Sequence, residues 1–219
     1  MTVAVKICGM TSTGAIDAAV SAGAAYGGLV FHPNSPRNLS LQEASSMAER
    51  MRGRLKIVAL IVDMDNAALE ALVKTVNPDF LQLHGNETVQ RTAEIRARFG
   101  LPVIKVLPVA DASDLAVAAE YEKVADMLMF DARPPQGAMR PGGHGAAFDW
   151  KILNGKRFTK PWLLAGGLTP DNVARAIELS GAKLVDVSSG VESAPGVKDA
   201  QRIRDFLLAA NTSMSRLNA

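Results

Sequence analysis

The sequence predicts a (β/α)8 barrel. Three observations carry that reading. Short apolar runs alternate with amphipathic stretches of helical spacing along all 219 residues. Eight such units recur at roughly 25-residue spacing, which gives a barrel of ordinary size. The runs are continuously apolar rather than alternating, as expected for parallel strands buried on both faces. An open doubly wound sheet is the alternative. It would favour a Gly-x-Gly-x-x-Gly turn after the first strand, and Cys8-Gly9-Met10-Thr11 is not one. No linker composition interrupts the pattern, so residues 1–219 read as a single barrel domain.

The elements follow in order. Val3–Cys8 is β-rich, and Ile16, Ala19, Val20 and Gly23 then keep helical spacing. Tyr26–Phe31 is the second strand, and Pro33, Asn34, Ser35 and Pro36 mark a loop. Ser40 and Glu43 form a capping box that starts the second helix. Leu55–Val62 and Ala67–Val76 are the third strand and helix. Asp79–Leu83, closed by His84-Gly85, and Glu87–Phe99, with Gly100 as a left-handed cap, make the fourth pair. Pro102–Leu107 and Ala112–Tyr121 make the fifth. Asp126–Phe130 is the sixth strand. The Pro- and Gly-rich stretch Arg133–Gly145 after it lies inside a repeat and reads as an active-site loop. The seventh strand stops at Gly166-Gly167, after which Thr169 suits an N-cap and Pro170 the first helical position. The eighth, Leu184–Val187, stops at Ser188-Ser189-Gly190, and a helix over Asp199–Ala209 closes the chain.

Composition removes several functions. The net charge of +2, with no Lys/Arg run, is no footprint for nucleic acid. No apolar run approaches a membrane span, and the N-terminus lacks the apolar core of a signal peptide. The single cysteine, Cys8, rules out an internal disulfide. A cytoplasmic protein is expected.

In a barrel the chemistry gathers at the C-terminal ends of the strands. Standing there are Cys8, Arg37, Asp63, His84 and Asp131, with Gly142-Gly143-His144-Gly145 after the sixth strand. Taken alone, Cys8 fits a small core residue; its strand-end position, with Gly9 after it, favours a functional thiol. A thiolate acts as a base only if its pKa falls below the free value of about 8.5, so a positive field would have to reach it; Lys6 points to the same side of the strand, where barrel packing or a buried ion pair is its expected role. Asp131 reads as an acid or a loop cap, and His84 as a site residue or a satisfied core histidine. Arg37, held between Ser35-Pro36 and Asn38, can clamp a carboxylate with its planar fork. Asp63 reads as structural. The strand ends at Gly166-Gly167 and Ser188-Ser189-Gly190 offer unshielded backbone N–H groups, suited to phosphate. His32, His84 and His144 have no metal-ligand spacing, so no metal is expected.

These residues fall into seven ordered motifs. They are Lys6-Ile7-Cys8-Gly9-Met10-Thr11, Phe31 to Arg37, Leu81 to Gly85, Phe130-Asp131, Gly142 to Gly145 with Phe148-Asp149-Trp150, Leu164 to Leu168, and Val185 to Glu192. The set resembles phosphoribosylanthranilate isomerase, over essentially the whole chain. The resemblance implies the (β/α)8 barrel and an isomerase of tryptophan biosynthesis that uses no cofactor. Its reaction is the Amadori rearrangement of N-(5-phosphoribosyl)anthranilate to 1-(2-carboxyphenylamino)-1-deoxyribulose 5-phosphate. It also implies Cys8 as general base and Asp131 as general acid. Substrate contacts are expected from Arg37 on the carboxylate, from His84, and from Gly143, Gly145, Gly166, Gly167, Ser188, Ser189 and Gly190, the glycines and serines chiefly on the phosphate. The small-molecule substrate is the expected partner, with neither nucleic acid nor membrane, and a monomer or homodimer fits equally. One departure is visible: His144 replaces the loop's usual Thr or Ser, and Ala146-Ala147 follow.

Two rivals remain at this level. The first is another barrel enzyme on a phosphosugar: a Schiff-base aldolase would need a strand lysine, for which Lys105 is the candidate though it lies inside the fifth strand, and a metal-dependent epimerase would need clustered ligands. A non-catalytic phosphate-binding barrel would keep the Gly-Gly and Ser-Ser ends without needing Cys8 or Asp131.

Overall fold

Parallel pairing runs from β1 (Ala4–Cys8) through β2 (Tyr26–Phe31), β3 (Lys56–Ile61), β4 (Phe80–Leu83), β5 (Val103–Val109), β6 (Met127–Ala132) and β7 (Trp162–Leu164) to β8 (Leu184–Val187). The last strand pairs back onto β1, so the sheet closes. This computed structural model describes residues 3–134, 137, 142, 143, 145 and 147–217. His144, Ala146 and most of the Arg133–Gly145 stretch lie outside the described residues. No described helix is long and apolar enough to cross a membrane.

The helices start where the caps stand. Ser12 accepts from Ala15 N at the head of α1 (Thr13–Ser21). The Ser40–Glu43 capping box opens α2 (Leu41–Met51) as expected, with both reciprocal bonds made. Asp65 caps α3 (Asn66–Val76), and Thr88 caps α4 (Val89–Phe99), which ends at Gly100 in the left-handed region.

Three expectations change. The helix expected over Ala112–Tyr121 is a 3₁₀ segment, Ala112–Val117, followed by one α-turn, α5 (Ala118–Tyr121). Asp111 and Asp114 satisfy the opening N–H groups there, and Ser113 adds its hydroxyl to Asp111. Between β6 and β7 the described residues hold a 3₁₀ turn, Trp150–Leu153, and no α-helix among them. Thr169 does not cap with its side chain. Asn172 Oδ1 accepts from Thr169 N at 2.8 Å, its Nδ2 donates to Gly167 O at 2.9 Å, and α6 (Val173–Ser180) follows. Helical hydrogen bonding nevertheless begins at Thr169, whose carbonyl accepts from Val173 N.

Beyond β8 the chain makes a 3₁₀ turn (Ser189–Val191) and a small hairpin, β9 (Glu192–Ala194) with β10 (Val197–Lys198). The final helix, α7 (Ala200–Leu217), is longer than expected.

Alternation along each strand sorts the barrel. The inner face packs Val58, Ile104, Val106, Met127, Met129, Leu163 and Ala165 into a buried cluster, with Tyr26, Phe80 and Leu184 against it. The outward set joins the helices in the larger core. Lys105 points outward, 3% exposed, and donates to Glu87 Oε2 at 2.7 Å and Gly85 O at 2.8 Å. It is a structural cation, away from the barrel interior where a Schiff-base lysine would have to act.

Glu87 also accepts from the backbone N of Asp63 and Gly85, so this pair staples the loop that follows β4. Removing one partner of such a pair leaves an uncompensated buried charge. Glu87→Ala is therefore expected to cost about 3–5 kcal/mol, read as a fall in the urea midpoint at unchanged slope.

Candidate active site

The C-terminal ends of β1, β2, β3, β4, β6, β7 and β8 surround one cleft of about 810 Å³, open to solvent at its mouth. Every site residue expected from the sequence lines it: Cys8, Arg37, His84, Asp131, Gly143, Gly145, Gly166, Gly167, Ser188, Ser189 and Gly190. Asp63 does not line it. Its Oδ1 accepts from Asn86 N at 2.8 Å, the structural role expected of it.

Cys8 ends β1 on the inner face and is 4% exposed. Burial pushes its thiol up from the ordinary value. The nearby Lys6 ammonium opposes that rise most, Asp186 adds to it, and Lys198 opposes it more weakly. Lys6 makes the buried ion pair expected of it, with Nζ 2.7 Å from Asp186 Oδ1 on β8. Ser188 Oγ donates to the Cys8 carbonyl at 3.1 Å and so ties the β8 turn to the β1 end.

Asp131 stands on β6, three strands from β1 around the ring. Its Oδ1 accepts from Ala132 N at 2.8 Å, and its Oδ2 lies 3.2 Å from His84 Nε2. The angle is poor for a hydrogen bond, and Nε2 has no other partner. His84 Nδ1 is 3.3 Å from Gln82 Nε2, a fully buried amide on the inner face of β4. An amide N–H on Nδ1 leaves the ring proton on Nε2, facing the carboxylate. Gly142 completes this wall: a Cβ there would stand 2.9 Å from Asp131 Oδ2.

Arg37 is more constrained than its loop position suggested. It is 5% exposed, with Nε 2.6 Å and Nη2 2.8 Å from the two oxygens of Glu192. One edge of its fork is thus occupied, and a substrate carboxylate is left the Nη1/Nη2 end. Glu192 also accepts from Lys198 Nζ at 2.6 Å and from Gly196 N. Burial favours its protonated form, but the Arg37 and Lys198 cations overrule burial and hold the carboxyl at about 2. Lys198 in turn donates to Ser188 O at 3.0 Å. Sequence reasoning quoted Gln82, Asp186 and Glu192 within motifs but gave them no role, and it passed over Lys198. Only their register across the barrel reveals them. Asp186 had one signal: it shares a strand face with Ser188.

The Gly166-Gly167 and Ser188–Gly190 ends meet backbone to backbone. Gly166 has φ +88°, and a Cβ on it would lie 2.7 Å from Ala132 N. Only glycine takes that conformation and that space without strain. Among the described residues nothing accepts from the N–H groups of Gly166 or Gly167. The leading N–H groups of the 3₁₀ turn at Ser189 are likewise spared by its own ladder. A Cβ on Gly190 would sit 1.9 Å from Leu168 O, so one of the two turns would have to move. Gly190→Ala is expected to weaken inorganic phosphate binding at least about tenfold, roughly 1.4 kcal/mol, and to lower the unfolding temperature as the displaced turn is strained. Isothermal titration decides: an unaltered Kd removes this turn from the anion site.

A protein-family model described as N-(5'phosphoribosyl)anthranilate (PRA) isomerase matches residues 5–209. The N-(5'-phosphoribosyl)anthranilate isomerase of Paramagnetospirillum magneticum is 54% identical over 96% of this chain and 98% of its own. The phosphoribosyl anthranilate isomerase of Thermotoga maritima superposes with a TM-score of 0.86 at 32% identity, over 96% of this chain and all of that one. A further solved isomerase, in complex with reduced 1-(o-carboxyphenylamino)-1-deoxyribulose 5-phosphate, superposes at 0.81 with 30% identity, over 96% of this chain and all of its own. With the cleft, the closed barrel and the ordered motifs agreeing, the chain belongs to the N-(5'-phosphoribosyl)anthranilate isomerase family.

Proposed function

We propose that Cys8 and Asp131 work this cleft as base and acid. The reaction is the family's: isomerisation of N-(5'-phosphoribosyl)anthranilate, a step of tryptophan biosynthesis. One observation carries the assignment of roles. A thiol and a carboxyl, from strands three apart around the ring, line one cleft whose wall also holds the glycine and serine turns.

The substrate's phosphate takes the N–H groups at Gly166-Gly167 and Ser188–Gly190, with Gly143 and Gly145 at hand on the loop side. Its anthranilate carboxylate takes the free end of Arg37. Two fixed ends remove most of the rotational freedom of the sugar between them. Asp131, carrying the proton, gives it to the ring oxygen. The C1′–O bond breaks, and the nitrogen lone pair forms the iminium. Cys8, as thiolate, takes the C2′ proton. The resulting enolamine becomes the 2′-ketone by losing its hydroxyl proton and gaining one at C1′. His84, 3.2 Å from Asp131 and lining the same cleft, meets the substrate beside the acid. The enzyme acts on this small molecule as a monomer or homodimer of one barrel domain, in the cytoplasm. Neither nucleic acid nor membrane is a partner.

Each acid–base group contributes roughly 10²–10⁴-fold. Cys8→Ala and Asp131→Asn are each expected to lower kcat by at least about a hundredfold with the fold intact, followed by the fluorescence loss of phosphoribosylanthranilate. Near-normal turnover in either variant removes that residue from its role. A base works deprotonated, and burial holds this thiol up. Hence kcat/KM is expected to climb still between pH 7 and pH 9, about the ordinary thiol range. A plateau already complete at pH 7 speaks against Cys8.

A further inference from the structure

Beneath the cleft floor lies a buried charged group that the reaction so far leaves unused. Lys6 is fully buried. It shares the inner face of β1 with Cys8, two residues on. Opposite both, β2 offers Gly28. A Cβ there would stand 3.1 Å from Cys8 Sγ and 3.2 Å from Lys6 Nζ, so thiol and ammonium come up to the same point. Filling a barrel needs no charge, as the apolar cluster around Met127 and Met129 shows. Apolar residues in place of a buried pair are often neutral or stabilising. The fold alone therefore gives no reason for Lys6.

We propose that Lys6 is a positioning residue for the isomerisation: its ammonium, pinned by Asp186, is the cation against which the Cys8 thiol ionises. This rests on the reading of Cys8 as the base. The thiol proton leaves to water through the open mouth. The thiolate is held beside the ammonium, and the C2′ proton restores S–H; no electrons change hands. Of the other charges around Cys8, Lys198 acts in the same direction as Lys6 but more weakly. Lys198 on β10 is engaged by Glu192 and Ser188, and Arg37 is also engaged by Glu192. Asp131 and His84 belong to the far wall. Asp186 holds Lys6 in place and acts on the thiol with the opposite sign.

Cys8 is the chain's single cysteine, so iodoacetamide alkylation of the full-length, substrate-free enzyme reads it alone. With Lys6→Met the pH midpoint of alkylation should rise by at least about one unit, a tenfold loss of thiolate at a given pH. The rising limb of kcat/KM should move with it, and Lys6→Arg should restore part of the shift. Asp186→Asn should move the alkylation midpoint the other way, and it carries the test if Lys6→Met does not fold. An unmoved midpoint in Lys6→Met, or an unmoved or raised one in Asp186→Asn, overturns the proposal. If Cys8→Ala keeps turnover while the midpoints shift, the base assignment has failed and takes Lys6 out of the reaction. If Cys8→Ala is inactive and the midpoints stay put, only the proposal for Lys6 has failed.

Discussion

The seam between β1 and β8 is the constraint on which the site depends. Closing the ring brings residues 180 positions apart into one ladder, with Lys6 opposite Asp186. Two residues further along the same two strands come Cys8 and Ser188, joined by the Ser188 hydroxyl. A strand shifted by one residue would turn its whole inward set outward. The register that buries the Lys6–Asp186 pair is therefore also the register that sets the thiol beside the β8 turn. Ring closure and the placing of the Cys8 thiol beside the β8 turn are one geometric fact.

A second support lies outside the ring. The β9–β10 hairpin carries Glu192 and Lys198 back over the mouth, where Glu192 grips Arg37 and Lys198 grips Ser188. Thr11 Oγ1 reaches Gly196 O at 3.1 Å, so the β1–α1 loop is drawn in as well. The guanidinium and the turn after β8 are thereby held against a common carboxylate. Fixing both in advance lowers the ordering cost of binding a two-ended ligand.

How much of this was legible follows from the range of each interaction. The strands were legible because parallel strands buried on both faces show as apolar runs, and β2 fell at its expected bounds. The Ser40–Glu43 cap is a local signal and held. That the candidate residues would line one cleft was legible because a barrel gathers its strand ends on one side, which needs only strand order. The segment Ala112–Tyr121 kept apolar spacing yet mostly took a 3₁₀ path, where local Asp and Ser hydrogen bonds compete with the α-helix. Nothing near Arg37 announced Glu192, 155 residues on, and nothing near Lys6 announced Asp186. Such partners are set by three-dimensional register, which spacing along one strand does not encode.

Two buried ion pairs, Lys6–Asp186 within the ring and Lys105–Glu87 outside it, remain to be set against their desolvation cost. A buried pair is weak evidence of stabilisation, since apolar residues often do as well. Each pair, however, stands behind one side of the chemistry. Lys105–Glu87 staples the turn that begins at His84, the residue facing Asp131. Lys6–Asp186 lies directly under Cys8. A thiol in a dry wall must ionise against its own desolvation, whereas a carboxylic acid must keep its proton until the ring oxygen needs it. One site serves both only if the surroundings of the two groups differ in charge and are held rigidly apart. Lys6–Asp186 sets charge directly under the thiol, whereas Lys105–Glu87, outside the ring, acts on the other wall only by fixing the turn that carries His84.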